Sequence, residues 1–261
     1  MKKILIGFLA SLFLVTSVAP ALAQSTTDLR QTWLQAQSSR LAADAEYRQA
    51  QLDYQTDKTP ENDQKVIDTA KALMIAVLDE AEAWLRWKDA EAQSDPRVPD
   101  DLKGAISADV EANLLKISDY RDDVAGVENR LQAIAVFLKL VGGYAGLLTD
   151  VTRNTGAVWV AIGNSWISTT ESYEAKLRDT AEGIADNDEI IAALDAAQIA
   201  IVGARANVAA AEDAYNQVRL PGTPFIKFAE GNASLRLARI KLLEAQKQLV
   251  RALTLISASS R

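Results

Sequence analysis

Between Leu102 and Leu148 the apolar residues recur in alternating steps of three and four. They are Leu102, Ile106, Val110, Asn113, Ile117, Tyr120, Val124, Val127, Leu131, Ile134, Leu138, Val141, Ala145 and Leu148. From Val110 onward the alternation never slips, and Asn113 is its one polar member. A repeat of this kind is the stripe of a helix packed along other helices; a strand repeats every second residue. One helix carrying the whole seam would be about 70 Å long at ~1.5 Å per residue. Such a stripe has to be covered along its length, by other helices, another subunit or lipid. The expected fold is therefore all-α, an elongated antiparallel bundle of about six long helices with coiled-coil-like packing. Composition agrees, because the chain of 261 residues holds only 12 Gly and 6 Pro, the residues that end helices.

The opening MKKILIGFLASLFLVTSVAPALA reads as a signal peptide over residues 1–23. Lys2 and Lys3 supply the charged start, Ile4 to Val18 the apolar run, and Ala21-Leu22-Ala23 the small-residue cleavage box. The expected product is a periplasmic or secreted chain over residues 24–261, forming a single domain. Cysteine is absent, so no disulfide staples it.

Further seams follow the same rule. The first is Leu29, Trp33, Ala36, Arg40, Ala43, Tyr47, Ala50 and Tyr54, preceded by Ser25 and Asp28 at capping-box spacing. Arg40 interrupts it and is expected to snorkel outward. Thr59-Pro60-Glu61 restarts a helix, with Thr59 as cap and Pro60 where no N–H is needed, which predicts an antiparallel hairpin. Its seam, Val66, Ala70, Leu73, Val77, Trp84 and Trp87, ends at Pro96 and Pro99. The long seam stops at Gly142-Gly143 or at Asn154-Thr155-Gly156. Beyond it Val158, Ile162, Trp166, Thr169, Tyr173, Leu177, Thr180 and Ile184 predict a further helix. After the cap Asp186–Glu189, an unbroken seam runs Ile190, Leu194, Ala197, Ile201, Ala204, Val208, Ala211, Tyr215 and Val218. Leu220–Pro224 turns the chain into a last helix carrying Phe225, Phe228, Asn232, Leu235, Leu242, Leu249, Leu253 and Ile256. The alternating seams and alanines resemble the helical hairpins of outer-membrane efflux channels. The resemblance ends there, since the β-strands of such channels have no counterpart in this pattern.

The inventory narrows function. The chain has no His and no Cys, which removes the commonest general base, the thiol nucleophiles and the Glu-x-x-His motif of helical di-iron sites. Carboxylates such as Asp79, Glu80 and Glu82 stand side by side in sequence and point around the helix instead of converging. Catalytic residues, cofactors and metals are accordingly not expected. A net charge of −7 argues against binding nucleic acid, which relies on Lys and Arg to neutralise phosphates.

Three features remain as interaction candidates. Leu131–Thr149 is nearly continuous in apolar residues and contains the pair Gly142 and Gly146, a length that admits a membrane span. Gln132 and Lys139 lie inside it, and the middle of a multi-helix core is the simpler expectation. Trp159 and Trp166 are seven apart and face one side, as a core pair or as a membrane- or partner-facing pair. Charge is segregated: residues 60–95 hold four basic and nine acidic side chains, residues 225–261 seven basic and two acidic. Arg236, Lys247 and Arg251 share one face of the last helix, suited to an anionic partner or to acidic neighbours within the bundle. Asn113 either sets register inside the seam or meets water where the helix protrudes.

The sequence thus predicts an exported, non-enzymatic structural or protein-interaction protein, a scaffold or adaptor of the cell envelope. Its partner is an envelope protein or a second copy of itself. The alternative is a membrane-surface or lipid-associating module acting through the apolar region 131–166, with peripheral membrane contact.

Overall fold

The structure is a computed structural model and describes residues 20–259. Among the described residues it is an all-α helical bundle of six helices: α1 (Pro20–Thr56), α2 (Pro60–Ser94), α3 (Asp100–Ala125), α4 (Arg130–Glu182), α5 (Asp188–Asn216) and α6 (Pro224–Ser259). The charged start and the whole apolar run of the predicted leader lie outside the described residues. Helix α1 already runs through Ser25 and Asp28, so these residues do not begin it.

The chain divides into two compact units. One comprises Met1–Asp95 and Val110–Leu138, the other Pro96–Asp109 and Lys139–Arg261.

In the first unit α1 and α2 pack as the expected hairpin. Thr59 caps α2 by accepting the Asn62 N–H at 3.2 Å. Trp33 and Trp87 stack across the pair with ring centroids 5.0 Å apart, and the Lys88 ammonium lies 4.0 Å from the Trp87 ring centre. Arg40 does not snorkel. Its guanidinium pairs with Glu80, which is held on the facing helix and is mostly buried. From α3, Arg121 reaches α2 with one nitrogen 2.6 Å from Asp79 and another 2.7 Å from Glu82. The α3 seam in this unit is buried at Val110, Asn113, Ile117 and Val124 and half-buried at Tyr120. Asn113 is fully enclosed and its Oδ1 accepts from Lys116 at 3.2 Å, so it does not meet water.

The long seam is not one helix. It breaks at 126–129, where side chains of Lys71, Asn129 and Gln132 supply the capping bonds. Lys71 of α2 donates to the carbonyls of Ala125 and Val127 at 3.1 and 3.0 Å, supplying partners that the last turn of α3 lacks. Asn129 then caps α4 by accepting the Gln132 N–H at 3.0 Å, while the Gln132 side chain accepts the Glu128 N–H at 2.7 Å. This is the reciprocal logic of a capping box. Val127 stays buried inside the break, so the apolar spacing passes through it unaltered and hides it.

Helix α4 then continues for 53 residues, through both expected stops. In the second unit Asn154 is not a terminator: its side chain donates to Asp109 at 3.2 Å, beside Arg153 at 2.9 Å from the same carboxylate. Gly156 is a slot. A Cβ built there would lie 2.4 Å from the ring of Tyr215, and one on Gly231 would lie equally close to the same ring. Two glycines from α4 and α6 thus admit the buried Tyr215 of α5, whose hydroxyl donates to Asn232 at 2.8 Å. Burial pushes the Tyr215 phenol well above its usual range, so it remains a neutral donor.

The α5 seam is buried at every position from Ile190 to Val218, and α5 and α6 pack as the second hairpin. The second half of α4 differs from its reading. Its buried stripe is Gly156, Val160, Gly163, Ile167, Thr170, Glu174, Leu177 and Ala181, in threes and fours but displaced from the larger residues Val158, Ile162 and Trp166. Small side chains let neighbouring helices approach, and the hydroxyls of Thr149, Thr152 and Thr170 donate to carbonyls one turn back. Glu174 is answered by Arg178 at 2.7 Å, which also holds Asp195 of α5. Between the two helices Asn187 makes no side-chain cap; its amide donates back to the Ala181 carbonyl at 2.8 Å.

Candidate functional site

Two arrangements on these helices have the character of recognition surfaces. The first is a cleft in the second unit. Helix α4 contributes Trp159, Ile162, Gly163 and Trp166, one face at steps of three and four. Helix α6 faces it with Asn232, Leu235, Arg236, Arg239 and Leu242, and Val208 of α5 lies beneath. The floor is set by Gly163, where an added Cβ would come within 3.2 Å of Val208. The cleft has a volume of about 480 Å³, within the range of small-molecule sites.

Its aromatic wall is built in relay. Tyr215 packs on Phe228 with centroids 5.5 Å apart, and Phe228 stacks on Trp159 at 5.7 Å and 29°. The buried, glycine-flanked Tyr215 therefore fixes Phe228, which fixes Trp159. Trp166 stands at the other end with the Arg97 guanidinium 5.7 Å from its ring centre, a cation–π distance. Trp159 is 40% and Trp166 45% exposed, so they are not a core pair. Among the described residues no Asp or Glu lines the cleft, whereas Arg97, Arg236 and Arg239 do.

Of the residues singled out in the sequence, the fold thus brings Trp159, Trp166 and Arg236 into one cleft. Lys247 and Arg251 are exposed farther along α6 and do not line it. The acidic neighbours expected for this basic helix are not its partners. Its ion pairs among the described residues are internal, Lys227–Glu230 and Lys241–Glu244, each 2.8 Å. Arg97 and Arg239 were missed by sequence reading. Arg239 carried a signal, since it falls one turn from Arg236; Arg97 lies between two prolines, and only the fold brings it near Trp166.

The second arrangement is the start of α4. Leu131, Ile134, Phe137, Leu138, Val141 and Tyr144 are 37–80% exposed. At ~100° per residue they occupy an arc of about 140° on the helix. Ala133, Leu140 and Leu147, about 90–130° from the middle of that arc, are the buried ones. The expected core helix is therefore packed on a different stripe, and the predicted seam is left open. Among the described residues α4 is the one helix long and apolar enough to cross a membrane, and only 11% of its most apolar 18-residue stretch is buried. Gly142 and Gly146 have nothing within 4 Å of an added Cβ.

Comparison with protein-family models, curated proteins and solved structures finds no match to this chain.

Proposed function

We propose that this chain is an exported, non-enzymatic interaction protein of the cell envelope, and that it docks on a bilayer surface through the open apolar face of α4. The observation that carries this reading is the exposure of Leu131, Ile134, Phe137, Leu138, Val141 and Tyr144 along one continuous helix. An apolar helix face of this kind is unfavourable in water and favourable at the headgroup–acyl boundary, where in-plane helices rest. Lys139, the one charge between Leu131 and Thr149, lies about 150° around the helix from the middle of the face. A bilayer that takes up the face is therefore not required to take up the charge. The net charge of −7 makes apolar contact, not attraction to anionic lipid, the driving term.

The test is flotation of the chain without residues 1–23 in the presence of zwitterionic phosphatidylcholine vesicles. The protein is expected to float with the vesicles, and L138D/V141D to remain below them with unchanged helicity, since both side chains are solvent-facing. Failure of the unaltered chain to float, or flotation of the double variant, refutes the reading. Concentration-dependent dimerisation without vesicle binding, abolished by the same pair, assigns the face to a second copy instead.

A further inference from the structure

The cleft between α4 and α6 carries a different chemistry from the α4 face, and its lining points to a ligand. We infer that it binds a single-chain amphiphilic anion, a long-chain carboxylate, whose chain lies along Trp159, Ile162, Trp166 and Leu235 and whose head group is met by Arg236 and Arg239. The inference rests on charge complementarity against the trend of the whole chain. The protein is acidic, with a net charge of −7, yet among the described residues this cleft has arginines and no carboxylate in its lining. Arg236 and Arg239 stand one turn apart on α6, and among the described residues neither has a carboxylate partner. Guanidinium groups stay charged at every accessible pH and match a carboxylate geometrically. The walls, by contrast, are aromatic and aliphatic, held rigid by the Tyr215–Phe228–Trp159 relay. A bare inorganic anion would leave that apolar surface wet, and a neutral hydrocarbon would leave the arginines unanswered. An amphiphile satisfies both, and about 480 Å³ accommodates a chain of modest length.

The experiment uses decanoate below its micelle concentration, titrated by calorimetry and by tryptophan fluorescence, with decanol and decyltrimethylammonium as neutral and cationic counterparts. Decanoate is expected to bind one to one and to perturb the fluorescence. Decanol should bind about tenfold more weakly or worse, because charge-assisted hydrogen bonds are lost. R236Q/R239Q, at exposed positions that leave the fold intact, should weaken decanoate by about tenfold or more and leave decanol unchanged. W166A should weaken both. L138D/V141D should leave decanoate binding intact, so failure of the bilayer reading and failure of this one are separable. Absence of decanoate binding, equal binding of decanol or of the cation, or indifference to R236Q/R239Q overturns the inference.

Discussion

Gly156→Ala tests the packing that builds the cleft. In an ordinary helix interior this substitution stabilises by about 1 kcal/mol, because Gly is the poorer helix former. Here the new Cβ would lie 2.4, 2.5 and 2.7 Å from three atoms of the Tyr215 ring. Carbon atoms settle at about 3.5–4.0 Å, so the ring must retreat by about 1 Å. It has nowhere to go: Gly231 is flush against the same ring, Phe228 stands 5.5 Å away, and the hydroxyl is bonded to Asn232 at 2.8 Å. Overpacking costs about 1–3 kcal/mol and a displaced hydrogen bond about 1 more. After the helix-propensity gain is subtracted, the net loss is roughly 1–3 kcal/mol. At ~2–4 °C per kcal/mol for a domain of this size, Gly156→Ala should lower the Tm by about 2–12 °C in far-UV circular dichroism. Gly142→Ala, with nothing within 4 Å of its Cβ, is the control and should raise Tm by about 2–4 °C. In a Tyr215→Ala background the Gly156→Ala penalty should vanish, leaving only the propensity gain. Melting of Gly156→Ala at or above the unaltered protein would show that Tyr215 is not wedged, and the argument for a rigid aromatic wall would fall with it.

Two further predictions concern the first unit. Burial pushes the Glu82 carboxyl up, but hydrogen bonds and charge from Arg121 and Arg86 outweigh it and hold the group below its usual value. A folded-state pKa below the unfolded one gives stability that is present above about pH 4.5 and lost as pH falls through the folded value. Acid melting should steepen in that window, and Glu82→Gln should flatten the pH dependence while lowering stability at pH 7. Asn129→Ala removes the α4 cap seen at 3.0 Å and should cost about 0.5–1.5 kcal/mol, with faster amide exchange confined to the first turn of α4. Uniform exchange acceleration throughout the chain would count against a local break at 126–129.

The helical character of the chain, the places of its short hairpin turns and the whole buried face of α5 were legible in the residues. Ile190 to Val218 could be read because α5 buries a single stripe, and every residue on that stripe is apolar or alanine. The break between α3 and α4 was present in the residues, as Asn129 and Gln132 at capping spacing. An apolar repeat that continues through Val124, Val127 and Leu131 concealed it, because spacing records which residues are apolar and not whether the backbone stays helical between them. Which stripe of α4 lies inside depends on packing between helices. Where a segment is apolar all round, as from Leu131 to Leu148, periodicity offers several equivalent faces, and neighbouring helices choose among them. Farther along α4 the choice falls on Gly156, Gly163 and Thr170, since close approach of three helices selects for small size at the contact. The larger Trp159 and Trp166 are left at the edge. That displacement turns an expected core pair into a cleft wall and places Arg236 and Arg239 opposite it, a meeting of residues from separate helices that no pattern along the chain encodes.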